Sequence, residues 1–246
     1  MSASAAPAAL TVSGLDVDRG EATVLRGVAF DVELHGVTAI LGRNGAGKTT
    51  TLLGLLGLLE SSGSIELDGE DISGLPVHER VQRGIGYVPE DREVFSDLTV
   101  DENMTLAIRG RPDAGRLALV RDLFPILVER SGQLAGSLSG GQQQMVAIAR
   151  ALVNDNKLLL VDEPSKGLAP AVVTDMVEAM KRVKGDTTML LVEQNLSVAN
   201  ALADHVVILD QGRVVHAGSM DEVRQKPEIA HRWLGVEFSA QRDGGL

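Results

Sequence analysis

The chain has no cysteine among its 246 residues. Disulfides, thiolate nucleophiles and cysteine metal sites are therefore excluded. Aromatic residues are scarce at 2%, with one Trp, one Tyr and four Phe. The core must be aliphatic, and a surface that stacks nucleobases on aromatic rings is not expected. Net positive charge is also missing: the formal charge is −11. That argues against a broad nucleic-acid face and against a polybasic membrane anchor. No apolar run reaches the length needed to span a bilayer. The first residues, Met1 to Ala9, lack the basic start and apolar centre of a signal peptide and read as a disordered lead-in. A cytoplasmic protein with no nucleic-acid partner is the resulting expectation. What remains is an ordinary globular balance, 44% hydrophobic and 23% charged, long enough to bury a sizeable core.

Against this background one segment stands out. Gly42-Arg43-Asn44-Gly45-Ala46-Gly47-Lys48-Thr49-Thr50 matches the phosphate-cradling pattern G-x-x-x-x-G-K-[ST]. A buried strand is predicted before it at Val37 to Leu41, and a helix after it at Leu52 to Leu59. Glycines let backbone N–H groups turn inward around phosphate oxygens. Lys48 is placed to reach the terminal phosphates and Thr49 to offer its hydroxyl to Mg²⁺, with the helix N-terminus favouring the negative charge. A Gly-rich loop can match such a pattern by chance, but the strand and helix on either side point to function.

Strand signals cover residues 10–17, 29–34, 64–67 and 85–88, and Asp68-Gly69 is a hairpin turn. Thr99 and Glu102 have capping-box spacing, and apolar residues at helical spacing run from Gly115 to Arg130. This stretch is either an inserted helical lobe or a set of ordinary helices on one core. From Ser139 onward strands (157–161, 188–192, 205–209) alternate with helices (about 142–153, 170–184, 196–202), the pattern of a parallel sheet covered by helices. The stripe Val172, Met176, Val177 and Met180 reads as core. His35, His78, His205, His216 and His231 are scattered without metal-ligand spacing and read as structural or surface residues.

Two further constellations carry chemistry. Ser139-Gly140-Gly141-Gln142 opens a helix with a second capping box, and its glycines leave the helix start open to an anion. Alone, this is also how an ordinary helix begins. Leu158 to Val161 forms an apolar strand ending in Asp162-Glu163. Adjacent carboxylates at such a strand end are costly unless a metal or a reaction uses them, although a strand running out into a solvated turn has the same appearance.

Loop, signature and strand-end acids, in this order, resemble the ATP-binding-cassette (ABC) ATPases over about residues 10–235. Val88-Pro89-Glu90, Leu98 to Asn103, Leu123-Phe124-Pro125, Gly141 to Met145, Gly167 to Pro170, Leu191 to Asn195 and Trp233 to Gly235 are similar to the shorter ATPase of branched-chain amino acid importers, a group whose relatives also serve urea and amides. The resemblance implies a P-loop α/β fold with a mostly parallel sheet, an N-terminal antiparallel β subdomain and an inserted helical subdomain at about 91–153, followed by a flexible tail at 236–246. It implies ATP and Mg²⁺ as cofactors. Gly42 to Thr50 would hold the phosphates. Thr49 and Asp162 would hold the metal, and Glu163 would be the general base.

Ser139, Gly140, Gly141 and Gln142 would serve the nucleotide of a second ATPase subunit. Two membrane permease subunits would be direct partners on the inner face of the membrane, and an extracytoplasmic solute-binding protein an indirect one. The loop from Glu90 to Phe95 would take part in docking. Three positions depart from the widest pattern. Glu90 stands where most relatives have a metal-contacting Gln. Gln194 stands for a His at the γ-phosphate and cannot carry a proton at neutral pH. Arg19 falls where an aromatic ring usually stacks on adenine, and is either a stacking guanidinium or a solvated loop residue.

Two other functions compete. A soluble cassette ATPase acting on ribosomes or DNA is disfavoured by the single P-loop, the acidic balance and the lack of sustained heptads. A weakly hydrolysing regulatory subunit is disfavoured by the presence of Lys48 and Glu163.

Overall fold

A computed structural model describes residues 7–20 and 22–235, and these form two sheets. The first is antiparallel, in the order β2-β1-β4-β5. Its two long members are β1 (Ala8–Arg19) and β2 (Ala22–Glu33), with β4 (Ser61–Leu67) and β5 (Glu70–Asp71) on the far side. Apolar residues should recur every second position in such strands. Here they slip by one, at Leu10, Val12, Leu15, Val17 and again at Leu25, Val28, Phe30, Val32, all buried. The slip is absorbed where the pairing register shifts between Val12 and Leu15, next to Gly14 and opposite Gly27, both with positive φ. A bulge of this kind keeps both ends of a long strand facing one core.

The second sheet has the order β10-β9-β3-β8-β7-β6. Strands β3 (Val37–Leu41), β6 (Ile85–Val88), β7 (Leu158–Asp162), β8 (Thr188–Val192) and β9 (His205–Asp210) run parallel, and β10 (Arg213–Ser219) is an antiparallel edge. Strands β3, β7 and β8 are buried throughout, as expected for strands covered on both faces. Alternation divides them between two cores. Ile40, Leu158, Leu160, Leu190 and Val192 pack toward the antiparallel sheet and helix α1 (Lys48–Leu56). Ala39, Leu41, Leu159, Val161, Met189 and Leu191 pack toward the other helices.

Those helices are α3 (Val100–Ala107), α4 (Ala114–Leu123), α5 (Pro125–Glu129), α6 (Gly140–Leu152), α7 (Pro170–Val183) and α8 (Leu196–Leu202). Val100, Val120, Leu123 and Leu127 of α3 to α5 share one apolar cluster with α6 and the sheet. Met176, Val177 and Met180 are buried in it, so the stripe on α7 is core.

Several boundaries differ from the sequence expectation. The helix after the P-loop begins at Lys48 and ends at Leu56, where Gly57 takes a left-handed cap, rather than spanning 52–59. The buried guanidinium of Arg80, from α2 (Val77–Gln82), donates to Gly54 O (3.0 Å) and Leu55 O (2.8 Å) and closes this helix end. The stretch 115–130 is two helices, because Pro125 forces Phe124 out of helical geometry. Residues 8 and 9, placed in the lead-in from sequence, belong to β1, with Ala9 fully buried, and residues 1–6 lie outside the described residues. Residues 213–234 add β10, α9 (Met220–Gln225) and α10 (Pro227–Leu234), beyond the expected elements. The tail expected at 236–246 lies outside the described residues. Among the described residues, no helix is long and apolar enough to cross a membrane.

Candidate active site

Ligands of open α/β sheets bind beyond the carboxyl ends of the strands, and here the ends of β3, β7 and β8 converge. Leu41 leads into the P-loop, Asp162 closes β7, and Val192 is followed by Glu193 and Gln194. The loop has to pass very close to its floor. A Cβ on Gly42 would lie 2.5 Å from Leu209 O, and the loop is tied to the β9–β10 turn by Gly212 N donating to Ala46 O (3.0 Å). Gly47 has φ +106° and is the N-cap of α1 without any side-chain cap. The first N–H groups of α1 are thereby left without a side-chain acceptor, which is the condition for anion binding at a helix start.

Lys48 is almost fully buried, at 5% exposure. Its Nζ donates to Gly42 O (3.1 Å), reaches Arg43 O at 3.5 Å and pairs with Glu163 Oε1 at 3.2 Å. The lysine is thus folded back along its own loop onto the strand-end acid. Thr49 Oγ1 donates to Asp162 Oδ1 (3.1 Å). The other oxygen of Asp162 is buried and has no hydrogen-bond partner among the described residues. Burial pushes the Asp162 carboxyl up to about 6; Thr49 pulls against this, while Glu90 and Glu163 add to it. An unpartnered, reluctant carboxylate oxygen beside a threonine hydroxyl fits a divalent cation. Mg²⁺ suits such a sparse protein set because it draws its remaining ligands from water and phosphate.

Glu163 sits in the left-handed region at φ +42°, held by its N–H donating to Val192 O (2.9 Å). A non-glycine residue there costs on the order of 1 kcal/mol or more and persists only where its surroundings impose it. Arg19, Asn44, Gly45, Gly47, Lys48, Thr49, Thr50, Glu90 and Glu163 line one cavity of about 350 Å³. Arg19, exposed at the end of β1, therefore belongs to the same opening as the P-loop. The Glu90 carboxylate is turned to Lys166, with which it forms an ion pair.

Gln194 is exposed and lines a separate cleft of about 140 Å³, with Gly42, Arg43, Asn44 and Leu234. It stands beside the loop, not in the cavity with Lys48 and Glu163. The signature residues line neither opening. Ser139 caps α6 through Gln142 N (3.4 Å), and Gln142 Oε1 accepts from Ser139 N (3.1 Å), so both capping-box bonds form. Gly141 makes room for Val172 of α7: a Cβ there would lie 2.7 Å from Val172 Cγ1.

Two residues assigned no role from sequence matter to this geometry. Glu193 is buried; its Oε1 accepts from Ser165 N (3.1 Å) and its Oε2 from Asn195 N (3.0 Å), tying the turn after β7 to the turn after β8. Burial raises its pKa despite these bonds. The signal was its position between an apolar strand and Gln194. Lys166 is the other, and its only signal was i,i+3 spacing from Glu163.

A bare helix start, a lysine at its mouth and two acids at the end of a parallel strand two places along the sheet define a P-loop nucleoside triphosphatase. The family profile described as ABC transporter matches residues 25–166. The chain belongs to that family: it is a transporter-type ATP-binding subunit, and it is an ATPase. It is 40% identical, over 88% of its length and 95% of the relative's, to the high-affinity branched-chain amino acid transport ATP-binding protein BraG of Pseudomonas aeruginosa. It is 32% identical, over 93% of the chain and 98% of the relative, to the lipopolysaccharide export system ATP-binding protein LptB of Haemophilus influenzae. Among solved structures, an ATP binding subunit of an ABC transporter superposes with a TM-score of 0.79 at 30% identity, covering 92% of this chain and 96% of that one.

Proposed function

We propose that this chain hydrolyses ATP to drive a membrane importer, with branched-chain amino acids as the cargo. The carrying observation is the 40% identity to BraG along nearly the whole of both chains, against 32% to an exporter subunit. The chain would work on the cytoplasmic face of the membrane, beneath two permease subunits that receive cargo from a solute-binding protein. The helices at about 91–153 would be the subdomain that carries the signature to a second ATPase subunit.

Gly42 to Thr50 wraps the phosphates with backbone N–H groups, and Lys48 leaves Glu163 for the terminal phosphate. Thr49 and Asp162 would hold Mg²⁺, and Glu90 would be a further oxygen donor. When bound, the ion neutralises charge that develops on the phosphate oxygens. Glu163, released from Lys48, accepts a proton from the attacking water. Gln194 donates a hydrogen bond toward the γ-phosphate as a sensor. Arg19 stacks on adenine at the edge of the same cavity. Ser139 to Gln142 line no part of their own chain's cavity, which supports the role that the family resemblance implies for them, at the nucleotide of the opposite subunit.

The test is reconstitution with a permease pair, a second ATPase subunit and a solute-binding protein of this importer type. ATP-dependent uptake of labelled leucine, isoleucine or valine is the expected result. Binding-protein-stimulated ATPase activity that responds to none of the three would overturn the cargo assignment.

A further inference from the structure

Lys166 has no part in the reaction described above, yet it lines the same cavity as the P-loop, Glu90 and Glu163. Its Nζ pairs with the Glu90 carboxylate and lies 3.9 Å from Glu163 Oε2. The other oxygen of Glu163 is 3.2 Å from Lys48. Four charges therefore alternate along one wall, Lys48, Glu163, Lys166 and Glu90, and the row is neutral as a whole. An incoming triphosphate disturbs this balance. Lys48 is drawn to the phosphates, and Lys166 becomes the remaining cation on two carboxylates that both face a highly negative ligand. An amide at position 90 would not create this problem, since it brings no charge.

We propose that Lys166 is a positioning residue for Mg·ATP. It offsets the Glu90 charge and keeps the Glu90 and Glu163 carboxylates turned toward each other's side of the cavity, so that the nucleotide can enter. This rests on the assignment of the cavity as the nucleotide site. The Lys166 side chain is 60% exposed, so its effect is screened by solvent and salt.

The experiment is a cycle in the full-length protein: wild type, Lys166→Met, Glu90→Gln and the double variant, with Lys166→Arg as the conservative control. Mg·ATP affinity is measured by calorimetry, and KM and kcat by hydrolysis. Lys166→Met should raise the Kd and KM about five-fold, the upper end for a solvent-exposed pair, with a smaller change in kcat. Lys166→Arg should recover most of the loss, and the loss should shrink as salt rises. In the Glu90→Gln background the same Lys166→Met change should cost less than about two-fold. An equal loss in both backgrounds, or a fall in kcat with KM unchanged, would overturn the proposal. Failure of the wild type to bind Mg·ATP would instead strike the site assignment beneath it.

Discussion

Helices α1 and α6 each have a glycine at the start, the N-cap Gly47 of one and the first residue Gly140 of the other, and both face the expectation of meeting a phosphate, yet the two starts are built in opposite ways. The start of α1 is bare: Gly47 offers no side-chain cap, and Lys48 lies buried at its mouth against Glu163. The start of α6 is self-sufficient, with Ser139 and Gln142 bonding to each other's backbone in the open. A helix start without a cap leaves donors unsatisfied until an anion arrives. A capped one is stable alone and can wait for a ligand carried by another molecule. The two ends of the proposed ATP sandwich are thus a permanent half-site and a standby half-site.

The comparison can be broken most severely at the acid next to α1. Glu163→Gln should lower single-turnover hydrolysis about 1,000-fold, roughly 4 kcal/mol in barrier, while ATP still binds. Gln194→Ala, which lies outside the main cavity, should cost clearly less, and equal losses in the two single-turnover rates would remove the division between base and sensor. Lys48→Ala should abolish tight binding of the triphosphate. It should also lower unfolding stability in urea by on the order of 3 kcal/mol, because Glu163 then loses its buried partner.

At the other helix the effects are smaller and of a different kind. Ser139→Ala removes a cap worth about 1 kcal/mol of stability. Nucleotide affinity of the isolated chain should stay unchanged, whereas hydrolysis by the assembled pair should fall. A loss of affinity in the isolated chain would show that α6 serves its own nucleotide. Smallest of all, Arg19→Ala should raise the Kd for ATP about three-fold if the guanidinium stacks on adenine, and no change in a fluorescent-nucleotide titration would take it out of the site.

Much of this was legible beforehand for a physical reason. The P-loop, the capping boxes at Thr99 and Ser139, and the hairpin turn at Asp68-Gly69 are local devices, each complete within a few residues. Helix boundaries were less legible where a long-range partner sets them. Arg80 closes α1 from 24 residues beyond its last residue, and nothing near Leu56 announces it. The bulges at Gly14 and Gly27 hid the strand character of residues 22–28, because the apolar alternation slips there. Edge strand β10 is only half-buried, so its apolar signal is weak.

By itself the sequence determined which chemical groups the protein owns and the order in which they meet: a phosphate loop, a signature, two acids and an apolar strand to carry them. Those follow from short-range rules of spacing and backbone conformation. Only the tertiary structure decided which charges share a wall. Lys48, Glu163, Lys166 and Glu90 come from three separate segments, and they form one alternating row because the parallel strands β3, β6 and β7 all end on the same side of the sheet. Coulomb interactions depend on separation in space, and that separation exists only once the sheet has formed.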